Sequence, residues 1–271
     1  MNREPLRPVT AADVEAYRAD GVVCLRQVLD AGWCARMLDA SLRAMDDGRG
    51  RVRDMTNPDG TGRFYRNTWM AWRDEDFRAF RDEGPVARAA AALMQASPVR
   101  YFYDQLFIKA PGTTVPTKWH QDLPFWPFMG EDIVSCWVAL TPVGKATSAV
   151  EYVAGSHRWG KFYRAITPES NPELLNTTME ECPDYNDPPP GTRMLCWDMQ
   201  PGDVLFHHPL VIHGSGANSS TTQTRVGLSI RFFGQDARYD PRDFTMRLER
   251  VPQVPAGAFP ADDHAFPVIP T

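Results

Sequence analysis

The sequence predicts a mainly β protein, a jelly-roll barrel flanked by helices. Three observations predict it. From Val99 onward, short runs rich in β-branched and aromatic residues alternate with turn signals. Ahead of them lies a stretch with helical periodicity, and several short strands after a helical preface suit a jelly roll better than a parallel α/β sheet. Finally, the 271 residues contain no internal repeat and no sign of a second core, and all-β barrels of this length commonly form one domain.

In order, Thr10 followed three residues later by Asp13 reads as a capping box opening a helix, with Val14 and Tyr17 on its apolar face and Gly21 as its stop. A β-branched run spans 22–28. Asp30 opens a second helix, whose Trp33, Met37, Leu38, Leu42 and Met45 recur at three and four and which ends near Gly48. Residues 48–72 are rich in Gly, Asn, Pro and Asp and read mostly as loop. Two further helices are predicted over 74–81 and 85–95. The strand candidates are 99–110, 115–121, 132–140, 149–153, 193–199, 203–208 and 224–233. The domain expectation is therefore one unit over 1–271, with a helical preface (10–97), a β-barrel core (99–234) and an extended, proline-rich arm (250–271). The irregular stretch 161–192 and the 48–72 loop are both candidate lids, since long loops are usually functional or mobile.

Composition excludes several classes. Net charge is −5 with no long Lys/Arg block, so a nucleic-acid face is not expected. No run of 18 apolar residues exists, so no membrane-spanning helix is expected, and the polar start MNREPLRPVT does not resemble a signal peptide. Five cysteines without a CxxC pair predict free thiols in a reducing, cytoplasmic setting. The expected partner is a small molecule, and the chain is read as a monomer or homodimer.

The chemistry is carried by histidines. In a strand, residues i and i+2 share a face, so His120 and Asp122 in His120-Gln121-Asp122 present an imidazole and a carboxylate side by side. Downstream, His207, His208 and His213 compete to supply a second imidazole. His213 is preferred because it leads His213-Gly214-Ser215-Gly216, where small residues leave room, and because Arg225 follows at a distance that suits the neighbouring strand. His207 and His208 are read as packing or hydrogen-bonding residues. Two histidines and one carboxylate form the facial triad of non-haem iron(II), which leaves coordination positions open. In the run from Arg225 to Phe232, Val226, Leu228, Ile230 and Phe232 alternate with Arg225, Gly227, Ser229 and Arg231. If the polar face lines a barrel interior, Arg225 offers a planar fork for a carboxylate such as the distal one of 2-oxoglutarate.

With these residues assembled, the sequence resembles the phytanoyl-CoA dioxygenase family. The resemblance is carried by Tyr17-Arg-Ala-Asp-Gly-Val-Val-Cys-Leu25 with Leu29-Asp30, Trp119-His-Gln-Asp122, Gly155-Ser-His-Arg158, Pro201-Gly-Asp-Val-Leu-Phe206, and His213-Gly-Ser215 with Arg225. It implies a double-stranded β-helix with iron(II) on His120, Asp122 and His213, and 2-oxoglutarate placing its far carboxylate against Arg225 and Ser215. It also implies cosubstrate contacts from Trp137 and Gln105. For Lys109 a contact with cosubstrate or substrate is the alternative and a solvated side chain the preferred expectation, and His157 is expected to be structural. The sequence departs from the family pattern over 142–151. The implied reaction consumes O2 and 2-oxoglutarate, oxidises an unactivated C–H bond of a small molecule, and releases succinate and carbon dioxide. Phe125, Trp126 and Phe128 are expected to wall an apolar substrate pocket, suiting a lipid-like or secondary-metabolite substrate, with Arg66 or Arg231 meeting a substrate carboxylate or phosphate. Two alternatives remain: a zinc-dependent hydrolase on the same ligands, and a non-catalytic barrel that binds small molecules.

Overall fold

The computed structural model describes residues 1–165 and 178–271. Helix α1 (Ala11–Asp20) begins with the expected capping box, Thr10 and Asp13 each bonding the other's backbone, and ends at Gly21 in the left-handed region. That glycine is required twice over, because a Cβ there would lie 2.4 Å from the His157 ring. Strand β1 (Val22–Leu25) follows, and Asp30 caps α2 (Ala31–Asp47) by accepting from the Trp33 backbone N–H at 2.8 Å.

The stretch expected to be loop contains a hairpin, β2 (Arg53–Thr56) and β3 (Arg63–Thr68), paired Arg53 to Arg66 through Thr56 to Arg63. Its turn-forming residues are concentrated at the tip, where the Asn57 N–H donates to the Thr61 carbonyl at 2.9 Å. Helices α3 (Glu75–Glu83) and α4 (Val86–Met94) then precede the long strand β4 (Val99–Lys109). The remaining strands are β5 (Thr117–His120), β6 (Phe128–Met129), β7 (Ile133–Ala139), β8 (Val150–Val153), β9 (Met194–Cys196), β10 (Val204–His207), β11 (His213–Ser215), β12 (Arg225–Phe233), β13 (Arg238–Tyr239) and β14 (Val268–Ile269).

The larger sheet runs β1-β10-β7-β12-β4-β3-β2, with β14 added to β4; the smaller runs β5-β11-β8-β9. Together they are the two walls of a jelly roll. The larger sheet has two unlike faces, as the period of two requires. Outward, Val134, Cys136, Val138, Val204, Phe206, Leu228 and Ile230 pack on Tyr17, Trp33, Met37, Ala89 and Leu93 of the helices. Each fully buried aliphatic or aromatic side chain there contributes roughly 1.5–3 kcal/mol. Inward, Trp137, Ala139 and Leu205 meet Val150 and Tyr152 of the smaller sheet. The predicted alternation of β12 is therefore present, with Val226, Leu228, Ile230 and Phe232 all in the helix-facing core.

The C-terminal arm is docked. Val268 and Ile269 pair with Arg100 and Val99, and Phe266 is fully buried against Phe102, Phe128 and Phe233. Of the lid expectations, 48–72 holds the hairpin, and 161–192 falls partly on 166–177, outside the described residues. Among the described residues no helix is long and apolar enough to cross a membrane.

Candidate metal centre and anion pocket

The smaller sheet brings the two preferred histidines together. His213 on β11 lies directly opposite His120 on β5 in the antiparallel ladder, with ring centroids 4.2 Å apart. Each ring places Nδ1 on a backbone carbonyl, His120 on Lys118 at 2.7 Å and His213 on Val211 at 3.0 Å. A carbonyl only accepts, so each Nδ1 carries the proton and each Nε2 presents its lone pair, the tautomer a metal needs.

Asp122 arrives differently from expectation. Strand β5 stops at His120, and Asp122 is helical (φ −77°, ψ −43°) at the head of a one-turn 3-10 helix, Leu123–Phe125. The turn, held by the Asp122 and Leu123 N–H groups on the Pro209 carbonyl, swings the carboxylate back beside His120, with Oδ1 3.6 Å from Nε2. Gln121 faces away, donating to the Lys161 and Leu210 carbonyls. Ligand atoms of His120, Asp122 and His213 all lie within 4.8 Å of one another, the one such group of His, Cys, Asp or Glu among the described residues.

Electrostatics suit a cation. Burial alone would raise the Asp122 carboxyl, but contacts with His120 and His207 and the nearby His213 and Arg231 hold it well below the usual range. Burial, reinforced by His120 and His207, pushes His213 well below its ordinary value. A carboxylate that stays ionised and an imidazole that stays neutral are the forms that ligate metal. The donor set and the freed Nε2 atoms therefore fit a borderline divalent ion.

Next to this centre are two buried basic side chains, Arg225 and Lys109, with no acidic partner among the described residues. Arg225 is buried, and its Nε and Nη2 donate to the Ser148 carbonyl at 3.2 and 2.9 Å. Nη2 also lies 3.5 Å from Ser215 Oγ, while Nη1 has no partner among the described residues. Trp137 lies beneath the guanidinium, 5.1 Å from its ring centre. The indole is seated over Gly227, where a Cβ would come within 2.0 Å of it.

Lys109 corrects an expectation. It is fully buried, its Nζ bonded to Ser148 Oγ (3.0 Å), Ser215 Oγ (3.3 Å) and the Gly216 carbonyl (2.7 Å). Its position was readable, since Gln105, Phe107 and Lys109 share the face that pairs with Ser229, Gly227 and Arg225. Burial, with Arg225 and Arg66 nearby, pushes its pKa down to about 6. Ser148 belongs to the stretch flagged as atypical and adopts φ +67°, a backbone state uncommon for a non-glycine residue and enriched at functional sites.

The remaining candidates separate. Gln105 accepts from Arg231 Nη2 at 3.3 Å and so faces the metal side, away from Arg225. Arg231 stacks on Tyr103 at 4.2 Å and comes within 4.0 Å of Asp122 Oδ2. Phe128 does not wall a pocket: it is fully buried in ring contacts with Phe102, Phe233, Tyr239 and Phe266. Trp126 is likewise core, donating to the Tyr103 hydroxyl at 3.0 Å. Phe125 is half-buried. Arg66 lies on the inward face opposite Phe107, half-buried, with Nε lacking a partner among the described residues. His157 is structural, its Nε2 donating to the Arg18 carbonyl at 3.1 Å. His208 is packed against it and Glu131. His207, read from sequence as packing or hydrogen-bonding near the strand end, does hydrogen-bond there, and its partner is in the centre itself, Asp122 Oδ2 at 3.4 Å.

Fold and site together define a jelly-roll protein with a two-histidine, one-carboxylate metal motif beside a cationic pocket. The chain belongs to the phytanoyl-CoA dioxygenase family, whose family model matches residues 17–227. A probable phytanoyl-CoA dioxygenase of Caenorhabditis elegans is 31% identical over 121 residues, 43% of this chain and 36% of that relative. The match thus spans about a third of the curated relative's length. Among solved structures, the non-heme alpha ketoglutarate dependent carbocyclase SnoK from nogalamycin biosynthesis superposes over 100% of both chains with a TM-score of 0.77 at 20% identity. The epimerase SnoN in complex with Fe3+, alpha ketoglutarate and nogalamycin RO has a TM-score of 0.72 at 24% identity, covering 95% of this chain and 97% of that one. At these identities the likeness establishes the shared fold.

Proposed function

We propose that this protein is a non-haem iron(II)- and 2-oxoglutarate-dependent dioxygenase that oxidises an unactivated C–H bond of a small molecule, releasing succinate and carbon dioxide. The observation that carries the reading is the pairing of two sites: the His120–Asp122–His213 cluster and a buried Arg225 with an unpartnered Nη1. Hydrolysis at a metal site does not by itself require the second. Membership of the phytanoyl-CoA dioxygenase family and the iron and alpha ketoglutarate of the SnoN complex support the same conclusion.

In this reading the Nε2 atoms of His120 and His213 and a carboxylate oxygen of Asp122 would hold iron(II). Bound iron with 2-oxoglutarate supplies the oxygen activation that side chains cannot. The protein's own work is positioning and exclusion of water. Arg225, Ser215 and Lys109 receive the far carboxylate of the cosubstrate, a planar fork and a point charge on one anion. Trp137 walls that pocket. Asp122 stays ionised and His213 neutral without help from bulk solvent. The substrate approaches across the half-buried inward residues Gln105, Phe107, Thr68 and Arg66, with Phe125 at the edge. That lining combines apolar surface with the Arg66 guanidinium, whose Nε has no partner among the described residues, suiting a largely apolar molecule bearing an acidic group.

The test is turnover of 2-oxoglutarate. Purified protein with iron(II), 2-oxoglutarate and O2 is expected to form succinate, slowly without substrate and faster with one, and Asp122→Ala is expected to stop it. Absence of succinate across a broad panel of acidic small molecules, together with metal-dependent ester or phosphate hydrolysis, would favour the zinc hydrolase instead.

A further inference from the structure

We infer that His207 is a positioning residue for Asp122: it engages the carboxylate oxygen that faces away from His120 and so leaves a single oxygen for the metal. The inference rests on the metal-centre reading above.

The two oxygens of Asp122 have different neighbours. Oδ1 faces His120 Nε2 at 3.6 Å; Oδ2 faces His207 Nε2 at 3.4 Å and Arg231 at 4.0 Å. A carboxylate beside a metal can bind through one oxygen or both. Binding through both would occupy a position that the facial triad leaves open for other ligands. Donors on Oδ2 oppose that.

The histidine is built for this task. His207 ends β10 on the inward face, two residues after Leu205, while Phe206 points to the helices. Its other nitrogen, Nδ1, lies 3.2 Å from the Tyr152 hydroxyl. An ionised carboxylate only accepts, so the proton belongs on Nε2, and the Tyr152 hydroxyl donates to Nδ1. Tyr152 stands on β8 beside His213, the rings 5.7 Å apart and nearly parallel. One tyrosine thus fixes the tautomer of His207 and flanks a ligand. In a buried site both nitrogens need partners, and the partner that Nε2 finds is the Asp122 oxygen turned away from His120. At 3.4 Å the contact to Oδ2 is long, so its own bond energy is small and its worth lies in holding Asp122 in the orientation that ligates.

Cobalt(II) tests this without turnover, because its visible absorption weakens as coordination number rises. His207→Phe is expected to lower cobalt(II) affinity roughly 10- to 100-fold, the usual cost of losing a partner of a metal ligand, and to weaken the visible band. His207→Gln, which keeps an N–H near the Nε2 position, is expected to recover affinity to within a few-fold. Tyr152→Phe keeps the ring, removes the hydroxyl, and is expected to give an intermediate loss. Wild-type affinity and spectrum in His207→Phe overturn the inference. So does loss in His207→Phe and His207→Gln as complete as in His213→Ala, which would make His207 a ligand. If His207→Phe does not fold, Tyr152→Phe with an unchanged affinity and spectrum overturns it. Failure of wild type to bind cobalt(II) at all strikes the metal centre, and a wild type that binds the metal but forms no succinate strikes only the proposed reaction.

Discussion

Arg225 and Lys109 are two buried basic side chains around the same serines, and neither makes an ion pair among the described residues. Such an arrangement is costly unless an anion completes it. Arg225→Ala is therefore expected to weaken 2-oxoglutarate by about 2–5 kcal/mol, roughly 30-fold or more in Kd, while changing iron(II) affinity only a few-fold; calorimetric titration of each ligand separates the two, and equal losses would make Arg225 structural. Lys109 adds a pH signature. Its pKa of about 6 leaves it mostly neutral at neutral pH, and a dianion beside it favours the protonated form. Between the free and bound values, binding takes up a proton, so affinity falls as pH rises through that window and levels off below about 6. Calorimetry in buffers of different ionisation heat should read about one proton taken up per cosubstrate near pH 7.5. No uptake would mean that Lys109 does not change protonation when the anion binds. The placement of Arg225 was legible in sequence because a strand alternates strictly. Lys109 was misjudged for a different reason: a lone lysine is usually solvated, and only the face it shares with Gln105 signals otherwise.

At the scale of elements, β12 is where packing and chemistry meet. Its outward residues anchor the helices, and its inward Gly227 leaves the space that Trp137 fills beneath Arg225. Gly227→Ala forces the indole aside. It is expected to destabilise the fold by about 1–3 kcal/mol, as overpacking does, and to weaken 2-oxoglutarate as well; a denaturant melt paired with cosubstrate titration checks both, and a variant unchanged in both would contradict the packing described. Seven strands between 99 and 233 were readable from their β-branched and aromatic runs, whereas β6 and β11, of two and three residues, are too short to show a pattern and were not predicted. The β2–β3 hairpin was hidden by the Gly, Asn and Asp of its tip, which dominate a short stretch. Asp122 was expected on a strand and is instead delivered by a turn, since Pro124 ends the extended run just beyond it. The neighbouring Phe128 looked like pocket wall by proximity in sequence, but that turn redirects it into the core.

Across the whole molecule, the chain's two ends close the structure around the site. The helical front covers the outward face of the larger sheet, and the C-terminal arm adds a strand and Phe266 to the aromatic core that includes Phe102 and Phe128. Phe266→Ala is expected to cost about 3–5 kcal/mol, measured by chemical denaturation; a loss under about 0.5 kcal/mol would make the arm a surface appendage. This docking was not legible, because five prolines suggest an extended arm without saying what it rests on. The metal cluster was legible because its residues recur in a fixed order, whereas His207 could not be told from His208 without knowing which of them faces inward.

The central claim is that one ferrous site, built from His120, Asp122 and His213, stands beside a pocket for a keto-diacid. Visible absorption of the protein mixed anaerobically with iron(II) and 2-oxoglutarate tests it most directly. Wild type is expected to develop the charge-transfer band of a chelated keto acid, and His213→Ala to lack it. A wild type that binds iron(II) yet stays colourless with saturating 2-oxoglutarate would contradict the claim.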